Sequence, residues 1–268
     1  NDRVQAVLST PPPRETGTLE SDIEGNIELK DVTLTYEEKP VLKDVSFRVK
    51  AGSKTAIIGP TAAGKSQLLY LLTNLISTDS GTVEVDGVPI DKYTSKTFYK
   101  DVALVFQDSV IFNLSLRKNI AFSNSVTDEA LHKAVETAEL SNFIESLPNK
   151  LETIVSERGS SLSGGQKQRI MLARALTLNP RILLLDDFTA RVDQKTEDKI
   201  LANIQKNYPN LTLISITQKI EPVIDFDQIL LLMSGEIIAT GKHNELMKSS
   251  PEYIQIYKSQ QSTEQYEL

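Results

Sequence analysis

A glycine-rich loop with the spacing GxxxxGKS, at residues 59–66, constrains this chain more than any other feature. Glycines at those positions let the backbone curl around a phosphate chain, so that successive N–H groups point inward at the start of a helix. An apolar, strand-like run at 55–58 precedes the loop, and a helical pattern extends from Lys65 to about Leu75. Strand, loop and helix in this order predict the entry to a parallel α/β sheet. A plain glycine turn is the alternative.

The loop predicts a site for a nucleoside triphosphate with magnesium. In loops of this kind the amine at the Lys65 position reaches the β- and γ-phosphates, and the hydroxyl at the Ser66 position coordinates Mg²⁺. Ala62 stands where another glycine is frequent and Gln67 where Ser or Thr is frequent, and we expect both to weaken nucleotide contacts slightly. The residues expected to contact ATP in this loop are Gly59, Pro60, Thr61, Ala62, Ala63, Gly64, Lys65, Ser66 and Gln67.

A second glycine motif opens a later helical pattern and reads Ser163, Gly164, Gly165, Gln166. A serine and two glycines at a helix start expose N–H donors at the positive end of the helix dipole. The loop at Lys65 already holds the phosphates of one nucleotide, so this second anion site is surplus within one molecule. It is explained if it contacts the nucleotide of a facing domain. An ordinary helix cap accounts for the serine but not for the whole string 162–169.

Composition narrows the possible partners. The chain carries 29 basic and 36 acidic residues, a net charge of −7, which argues against nucleic acid because phosphate backbones bind basic surfaces. No apolar run approaches the roughly 18 residues of a membrane-spanning helix, and the lack of cysteine excludes disulfides and thiolate metal sites.

The chain begins with Asn1, and prolines 11–13 predict an extended spacer. We expect a piece of a longer protein.

The remaining patterns predict an α/β fold. The stretch from 115 to 178 is almost wholly helical and predicts an inserted helical lobe, a further helix is expected at 194–206, and one or two amphipathic helices follow His243. Strands are expected at 27–32, 33–36, 45–49, 83–85, 102–106, 182–185, 211–216, 229–233 and 236–239.

In their order and spacing these motifs resemble those of the ATP-binding cassette (ABC) transporter family, from about residue 27 to 243. The loop at 59–66 resembles the family's Walker A motif, 181–186 its Walker B strand, and 162–169 its signature. The resemblance implies a P-loop NTPase core with a parallel sheet, an N-terminal antiparallel β subdomain and an inserted α-helical subdomain. It divides the chain into a linker from a missing transmembrane domain (1–25), a nucleotide-binding domain (26–245, helical subdomain about 108–178) and a C-terminal helical tail (246–268).

The resemblance also assigns roles outside the loop. Tyr36 matches the aromatic residue that stacks on adenine, although a tyrosine packed in the core is the alternative. Asp186 would hold the hydration shell of Mg²⁺, and Gln107 would offer an oxygen to the metal or to the attacking water. Asp193 matches the end of the D-loop and a contact to nucleotide. The expected metal ligands are therefore Ser66, Gln107 and Asp186.

Two stretches are similar to the exporter type within the family, namely 107–112 with 118–120, and 157–159. The second is similar to an exporter loop that touches the transmembrane domain, with Ser156 where glycine is usual, and a solvated charged turn is its alternative. The resemblance implies attachment to a transmembrane domain at the cytoplasmic face of the cell membrane.

The chain departs from the family at two catalytic positions. Asp187 stands where hydrolytically competent members carry Glu, and Gln218 where they carry the switch His. Asp is one methylene shorter, and a shift of about 1 Å costs on the order of 100-fold in rate. Gln can hydrogen-bond a γ-phosphate but carries neither positive charge nor a transferable proton. We expect the chain's own site to bind ATP and hydrolyse it slowly.

An intact signature beside these departures resembles the degenerate half of a heterodimeric exporter, whose non-identical partner domain supplies the Glu and the His. Two alternatives stay open: a slow homodimer in which Asp187 is a weak base, and a regulatory module that ATP clamps shut. The soluble cassettes of DNA repair or translation are disfavoured by the single cassette, the acidic charge and the exporter-like stretches.

Overall fold

The computed structural model describes residues 17–36, 38–123, 125–155, 159 and 161–266. Their strands are β1 Ile27–Tyr36, β2 Lys39–Val49, β3 Lys54–Ile58, β4 Ser80–Val85, β5 Val88–Pro89, β6 Val102–Val105, β7 Ile182–Asp186, β8 Thr212–Thr217, β9 Gln228–Met233 and β10 Glu236–Gly241. Their α-helices are α1 Lys65–Leu72, α2 Ser95–Asp101, α3 Leu116–Ile120, α4 Asp128–Thr137, α5 Ser141–Glu145, α6 Gly164–Leu176, α7 Gln194–Asn207, α8 His243–Ser249 and α9 Pro251–Tyr266.

An antiparallel sheet in the order β2-β1-β4-β5 forms one layer. The expected runs 27–32 and 33–36 are one strand, β1, whose register against β2 shifts beyond Leu29 and whose Asp31 has a φ of 50°. The second strand was expected only from residue 45, but β2 begins at Lys39. Pro40 and the charged residues that follow mask this strand in the sequence, and β2 accommodates a proline because it is the edge strand.

A mixed sheet in the order β10-β9-β3-β8-β7-β6 forms the centre of the fold. Strand β3 pairs in parallel with β8 on one side and β9 on the other, and only β10 runs antiparallel to its neighbour. Strands β7 and β8 are buried along their whole length, so they are apolar without alternation, as central parallel strands are. The strands expected in these runs are confirmed within one or two residues at each end.

Hydrophobic cores lie on both faces of the mixed sheet. Ile57 of β3 faces a core shared with α1 and the antiparallel sheet, where it joins Leu68. Its neighbours Ala56 and Ile58 face the opposite core, where Leu172 of α6 lies. Successive strand residues point to opposite faces, so β3 joins both layers and is held rigidly at the point where the glycine-rich loop leaves it.

The helical regions differ from the expectation at three places. Helix α1 ends at Leu72 rather than near Leu75, because Asn74 takes a left-handed φ of 56°. Helix α2 was not expected. The stretch from 115 to 178 contains α3 to α6 but is interrupted between α5 and α6, where a 3-10 turn at Lys150–Glu152 and a β-bridge from Ser115 to Ile154 lie. The tail holds two helices, α8 and α9, as the sequence allowed.

Candidate nucleotide site

The loop between β3 and α1 has the conformation that its glycines permit. Gly64 has a φ of 103°, and a Cβ at this position would lie 2.8 Å from the carbonyl oxygen of Val41. A Cβ at Gly59 would lie 2.1 Å from the carbonyl oxygen of Leu232. Ala62 adopts a left-handed φ of 63°, which costs an alanine more than the glycine found in many such loops. Both sheets therefore press against the loop and fix its path.

Lys65 begins helix α1 and turns its amine back across the loop. Its Nζ donates hydrogen bonds to the carbonyl oxygens of Gly59 and Pro60, at 2.7 and 2.8 Å. Burial lowers the pKa of this amine, while the negative charges of Asp187 and Asp186 act in the opposite direction. The loop thus holds a buried cation against its own backbone, and an anion bound by the loop would gain from that charge.

Two adjacent carboxylates lie where β7 ends. Asp186 is buried, and burial followed by the charge of Asp187 raises its pKa, whereas Lys65 opposes that shift. Asp187 has a φ of 43°, and its N–H donates to the carbonyl oxygen of Ile216 at 2.9 Å. The Nε2 of Gln218, one residue beyond β8, donates to Oδ2 of Asp187 at 3.4 Å. The carboxyl ends of neighbouring parallel strands bring these three side chains together, as α/β folds do with ligand-binding groups.

Gln107 follows β6 by two residues and is exposed, with its backbone tied to the signature helix. Nε2 of Gln168 on α6 donates a hydrogen bond to the carbonyl oxygen of Gln107. Gln168 is only 1% exposed, so the donor side of this contact is buried although Gln107 itself is at the surface. Next to it, Arg191 forms an ion pair with Asp108 at 3.7 Å. Neither Gln168 nor Arg191 was expected to have a role. Gln168 lies within the signature string, and Arg191 lies within the string 190–193 that ends at Asp193 and resembles the D-loop.

The signature motif caps helix α6. Ser163 Oγ accepts from the N–H of Gln166 at 3.2 Å, and Oε1 of Gln166 accepts from the N–H of Ser163 at 2.9 Å, which forms a capping box. The two glycines have a packing reason of their own. A Cβ at Gly165 would lie 2.7 Å from the carbonyl oxygen of Arg191, and one at Gly164 would lie 3.2 Å from its Cδ. The helix start and the turn after β7 are therefore in direct contact.

Comparison with known proteins identifies the family. A family model described as ABC transporter matches residues 42–190, which is more than half of the chain. The chain belongs to the ABC transporter family. ATP-binding domains of this family are ATPases that bind ATP with Mg²⁺. The predicted fold class, family and cofactors are thereby confirmed.

Individual relatives of this ABC domain include a flippase and an exporter. The chain is 41% identical over 264 residues to the uncharacterized ABC transporter ATP-binding protein YfiB of Bacillus subtilis, covering 97% of this chain and 46% of the relative. It is 34% identical over 260 residues to an ATP-dependent lipid A-core flippase of Vibrio vulnificus, covering 95% of the chain and 45% of the flippase. A solved bacterial Atm1-family ABC exporter with ATP bound matches with a TM-score of 0.86 and 32% identity, covering 94% and 44%. The chain thus spans less than half the length of these relatives.

The remaining expected residues of the ABC domain lie at the surface. Tyr36 ends β1 with 64% of its surface exposed, so it is not the core tyrosine of the alternative interpretation. Asp193 caps helix α7 by accepting from the N–H of Thr196 at 3.0 Å, and hydrogen bonding to Thr196, first by its side chain and then by its N–H, lowers the pKa of Asp193. The exporter-like residues 156–158 lie outside the described residues. Among those that the structure describes, no helix has the length and apolarity needed to cross a membrane.

The residues expected to hold Mg²⁺ fit this ion. A serine hydroxyl, an amide oxygen and a carboxylate, from Ser66, Gln107 and Asp186, are the oxygen ligands that Mg²⁺ prefers. In the described part of the chain there is no cluster of three or more His, Cys, Asp or Glu residues that could hold a metal by itself. Protein sites for Mg²⁺ usually offer one or two carboxylates and leave the rest to phosphates and water. The buried Asp186, beside the charge of Asp187, gains from a cation.

Proposed function

We propose that this ABC domain powers an exporter and that its own ATP site is the slow, degenerate one of a pair. The observation that carries the proposal is the pairing of Asp187 with Gln218, whose amide donates to the carboxylate at 3.4 Å. A carboxylate and an uncharged amide occupy the two positions that supply a general base and a proton-bearing switch in competent members of the family. The amide offers no proton that titrates near neutral pH.

ATP binding itself is supported by the groups around the loop. Lys65 and the N–H groups of the loop meet the phosphates, while Ser66, Gln107 and Asp186 hold Mg²⁺, which neutralises phosphate charge when bound. Tyr36 offers a solvent-exposed ring, and stacking of such a ring on a base contributes about 1–3 kcal/mol. The site therefore keeps its means of binding while it lacks the groups that activate water.

The signature residues Ser163 to Gln166, together with Asp193, act on the nucleotide of a second domain in this proposal. They lie at the start of α6, where the positive end of the helix dipole favours an anion. In a dimer closed around two ATP molecules, the intact signature completes the partner's site. That partner is non-identical and carries the Glu and His that this chain lacks.

A transmembrane domain is the other proposed partner. The exposed aromatic side chains Phe112 and Phe122 are in contact, with ring centroids 5.1 Å apart, and the guanidinium of Arg174 lies over the two rings at 5.7 and 4.9 Å. Exposed aromatic groups of this kind mark interaction surfaces. The similar flippase and exporter are more than twice as long as this chain. We propose docking at the cytoplasmic face of the membrane, with residues 1–25 as the linker, 26–245 as the nucleotide-binding domain and 246–268 as its tail.

Restoring the missing groups tests the degenerate site. The double substitution Asp187→Glu with Gln218→His is expected to raise ATP turnover of the chain on the order of 10-fold or more. It restores a carboxylate on a side chain one methylene longer and a histidine that can carry a proton. Adding Lys65→Ala should abolish the gain, which assigns it to this site, and Asp198→Glu on exposed α7 is the matched control. Unchanged turnover with ATP still bound contradicts the proposal.

A mixing experiment with two versions of the chain tests whether the signature of one domain completes the ATP site of another. One version carries Asp187→Glu and Gln218→His but has its signature blocked by Ser163→Arg, and the other is the unchanged chain. The mixture should hydrolyse ATP faster than the sum of the two alone, because the unchanged signature completes the restored site. Ser163→Arg in both versions should remove the gain. If Ser163→Arg alone abolishes the slow turnover of the chain, the homodimer is the correct description.

A further inference from the structure

We infer that the C-terminal helix α9 positions Gln218, the residue at the switch position, through the side-chain amide of Gln260. Nε2 of Gln260 donates to the carbonyl oxygen of Gln218 at 2.7 Å. Oε1 of the same amide accepts from the N–H of Ile220 at 2.9 Å. The inference rests on the proposed role of Gln218 at the γ-phosphate, and it adds a positioning residue that is 42 residues away in sequence.

The two hydrogen bonds of Gln260, to Gln218 and to Ile220, are here called the clamp. Their geometry allows only one orientation of the side-chain amide. A carbonyl oxygen requires a donor and a backbone N–H requires an acceptor, so the NH₂ group faces Gln218 and the oxygen faces Ile220. The amide thus bridges two backbone groups on either side of Lys219, as a neighbouring strand would. Strand β8 has ended at Thr217, so these groups lie beyond its ladder. Gln260 supplies the hydrogen bonds that the sheet no longer does.

Helix α9 is itself fixed to the body of the domain. Tyr253 in its first turns is completely buried, and its hydroxyl is hydrogen-bonded to Nδ1 of His243 at 2.8 Å. The ring of Tyr257 contacts the ring of His243 edge-on, with centroids 5.1 Å apart. From this anchor the helix reaches Gln260 less than one turn beyond Tyr257. A fixed helix can hold a loop in one place, which a frayed tail cannot do.

The clamp continues to the catalytic positions. The backbone of Gln218 is held by Gln260, and the side chain of Gln218 reaches Oδ2 of Asp187 at 3.4 Å. On the other side of the clamp, Ile220 is buried and begins the turn at Glu221–Val223. The loop is therefore held at both ends of Lys219, and its position follows that of α9.

Gln260→Met tests the clamp, because methionine keeps the length and the apolar stem but neither hydrogen bond. The matched control is Gln255→Met, at an exposed position of the same helix. Hydrogen exchange of the Ile220 amide should become on the order of 10-fold faster in Gln260→Met and should stay unchanged in Gln255→Met. Gln260→Glu is the second variant, since it keeps an acceptor for Ile220 and replaces the donor to Gln218 by a carboxylate oxygen, which the carbonyl oxygen of Gln218 repels.

Turnover tests the consequence for the site. Because the clamp holds backbone atoms, it persists when Gln218→His and Asp187→Glu are introduced. In that background Gln260→Met should lower kcat about five-fold, with less than a two-fold change in KM, as expected when a group acting only in the transition state is displaced. Gln260→Glu should lower kcat while leaving exchange at Ile220 slow.

Each result decides a separate statement. Unchanged exchange at Ile220 in Gln260→Met overturns the clamp, whatever happens to turnover. Fast exchange with the turnover of Gln255→Met overturns the positioning role. Failure of the proposed function would give a different result, namely no gain in turnover from Asp187→Glu with Gln218→His while Gln260 is still present.

Discussion

The buried carboxyl group of Glu197 contributes to the pH dependence of the stability of this domain. Glu197 lies in the first turn of α7 and is only 2% exposed. Burial raises its pKa from 4.5 to about 8, and the charge of Lys219 only partly opposes that shift. The folded chain therefore keeps the proton through a range in which the unfolded chain has lost it. Stability is fully favoured below about pH 4.5, falls as the pH rises toward about 8, and then levels off.

Replacing this carboxyl with an amide should remove the slope. As the pH rises across that window, the unfolding free energy of the unchanged chain should fall by up to about 1.4 kcal/mol per pH unit because of Glu197. In Glu197→Gln this contribution to the slope should be absent. Urea unfolding between pH 5 and 8.5 measures the difference. The control is Glu129→Gln, at an exposed position in the first turn of α4, which should keep the original slope. Parallel curves for Glu197→Gln and the unchanged chain would refute the assignment.

At the scale of an element, helix α6 depends on its cap for stability and, in our proposal, on the same serine for contact with the partner's nucleotide. Ser163→Ala removes the hydrogen bond to the N–H of Gln166 and should cost about 1 kcal/mol of unfolding free energy. Thr127 caps α4 in the same way, through the N–H of Ala130 at 3.2 Å. Thr127→Ala should therefore cost a similar amount.

Only one of these two caps should affect catalysis. In the mixing experiment, the chain with Ser163→Ala should stimulate the restored partner less than the chain with Thr127→Ala does, although their stabilities are similar. Turnover of the two mixtures and chemical unfolding of the two variants measure this. Equal stimulation means that Ser163 serves as a helix cap and nothing more.

At the scale of the whole molecule, Gly235 is the point where both sheets meet the phosphate loop. It lies in the turn between β9 and β10, its N–H donates to the carbonyl oxygen of Ala63 at 3.1 Å, and its own carbonyl accepts from the N–H of Lys43 at 2.9 Å. Its φ is 85°, and a Cβ there would lie 2.4 Å from the carbonyl oxygen of Val41. The shape of the loop thus depends on β2 and on a turn far away in sequence.

Gly235→Ala should therefore damage both stability and ATP binding. Gly87→Ala is the matched control, because Gly87 has a φ of 77° but nothing within 4 Å of its added Cβ. Each substitution costs about 1 kcal/mol for the left-handed conformation, and Gly235→Ala should cost about 1–3 kcal/mol more for overpacking. Thermal unfolding measures the loss of stability in each variant, and ATP titration measures the loss of ATP affinity. Equal ATP affinity in the two variants would show that the turn does not shape the loop.

Features that depend on neighbours close along the chain could be predicted from the sequence. Glycine spacing and the adjacent Lys65 and Ser66 specify a phosphate loop, because the backbone conformation there is a local property. Apolar runs such as 182–185 specify central strands, because a strand buried on both faces admits few other residues. The replacements at 187 and 218 were also evident, since they stand at fixed positions of recognisable motifs.

The contacts that hold those motifs in place could be seen only in the folded chain. A side-chain amide that binds a distant backbone has no period in sequence, so Gln168 against Gln107 and Gln260 against Gln218 gave no signal. The sequence predicts only the second half of strand β2, because Pro40 and its charged neighbours disfavour a strand locally. In the folded chain, pairing with β1 compensates for that preference. The physical reason is the same in each case: such contacts are stabilised by the partner that folding brings near, and the partner's distance along the chain is arbitrary.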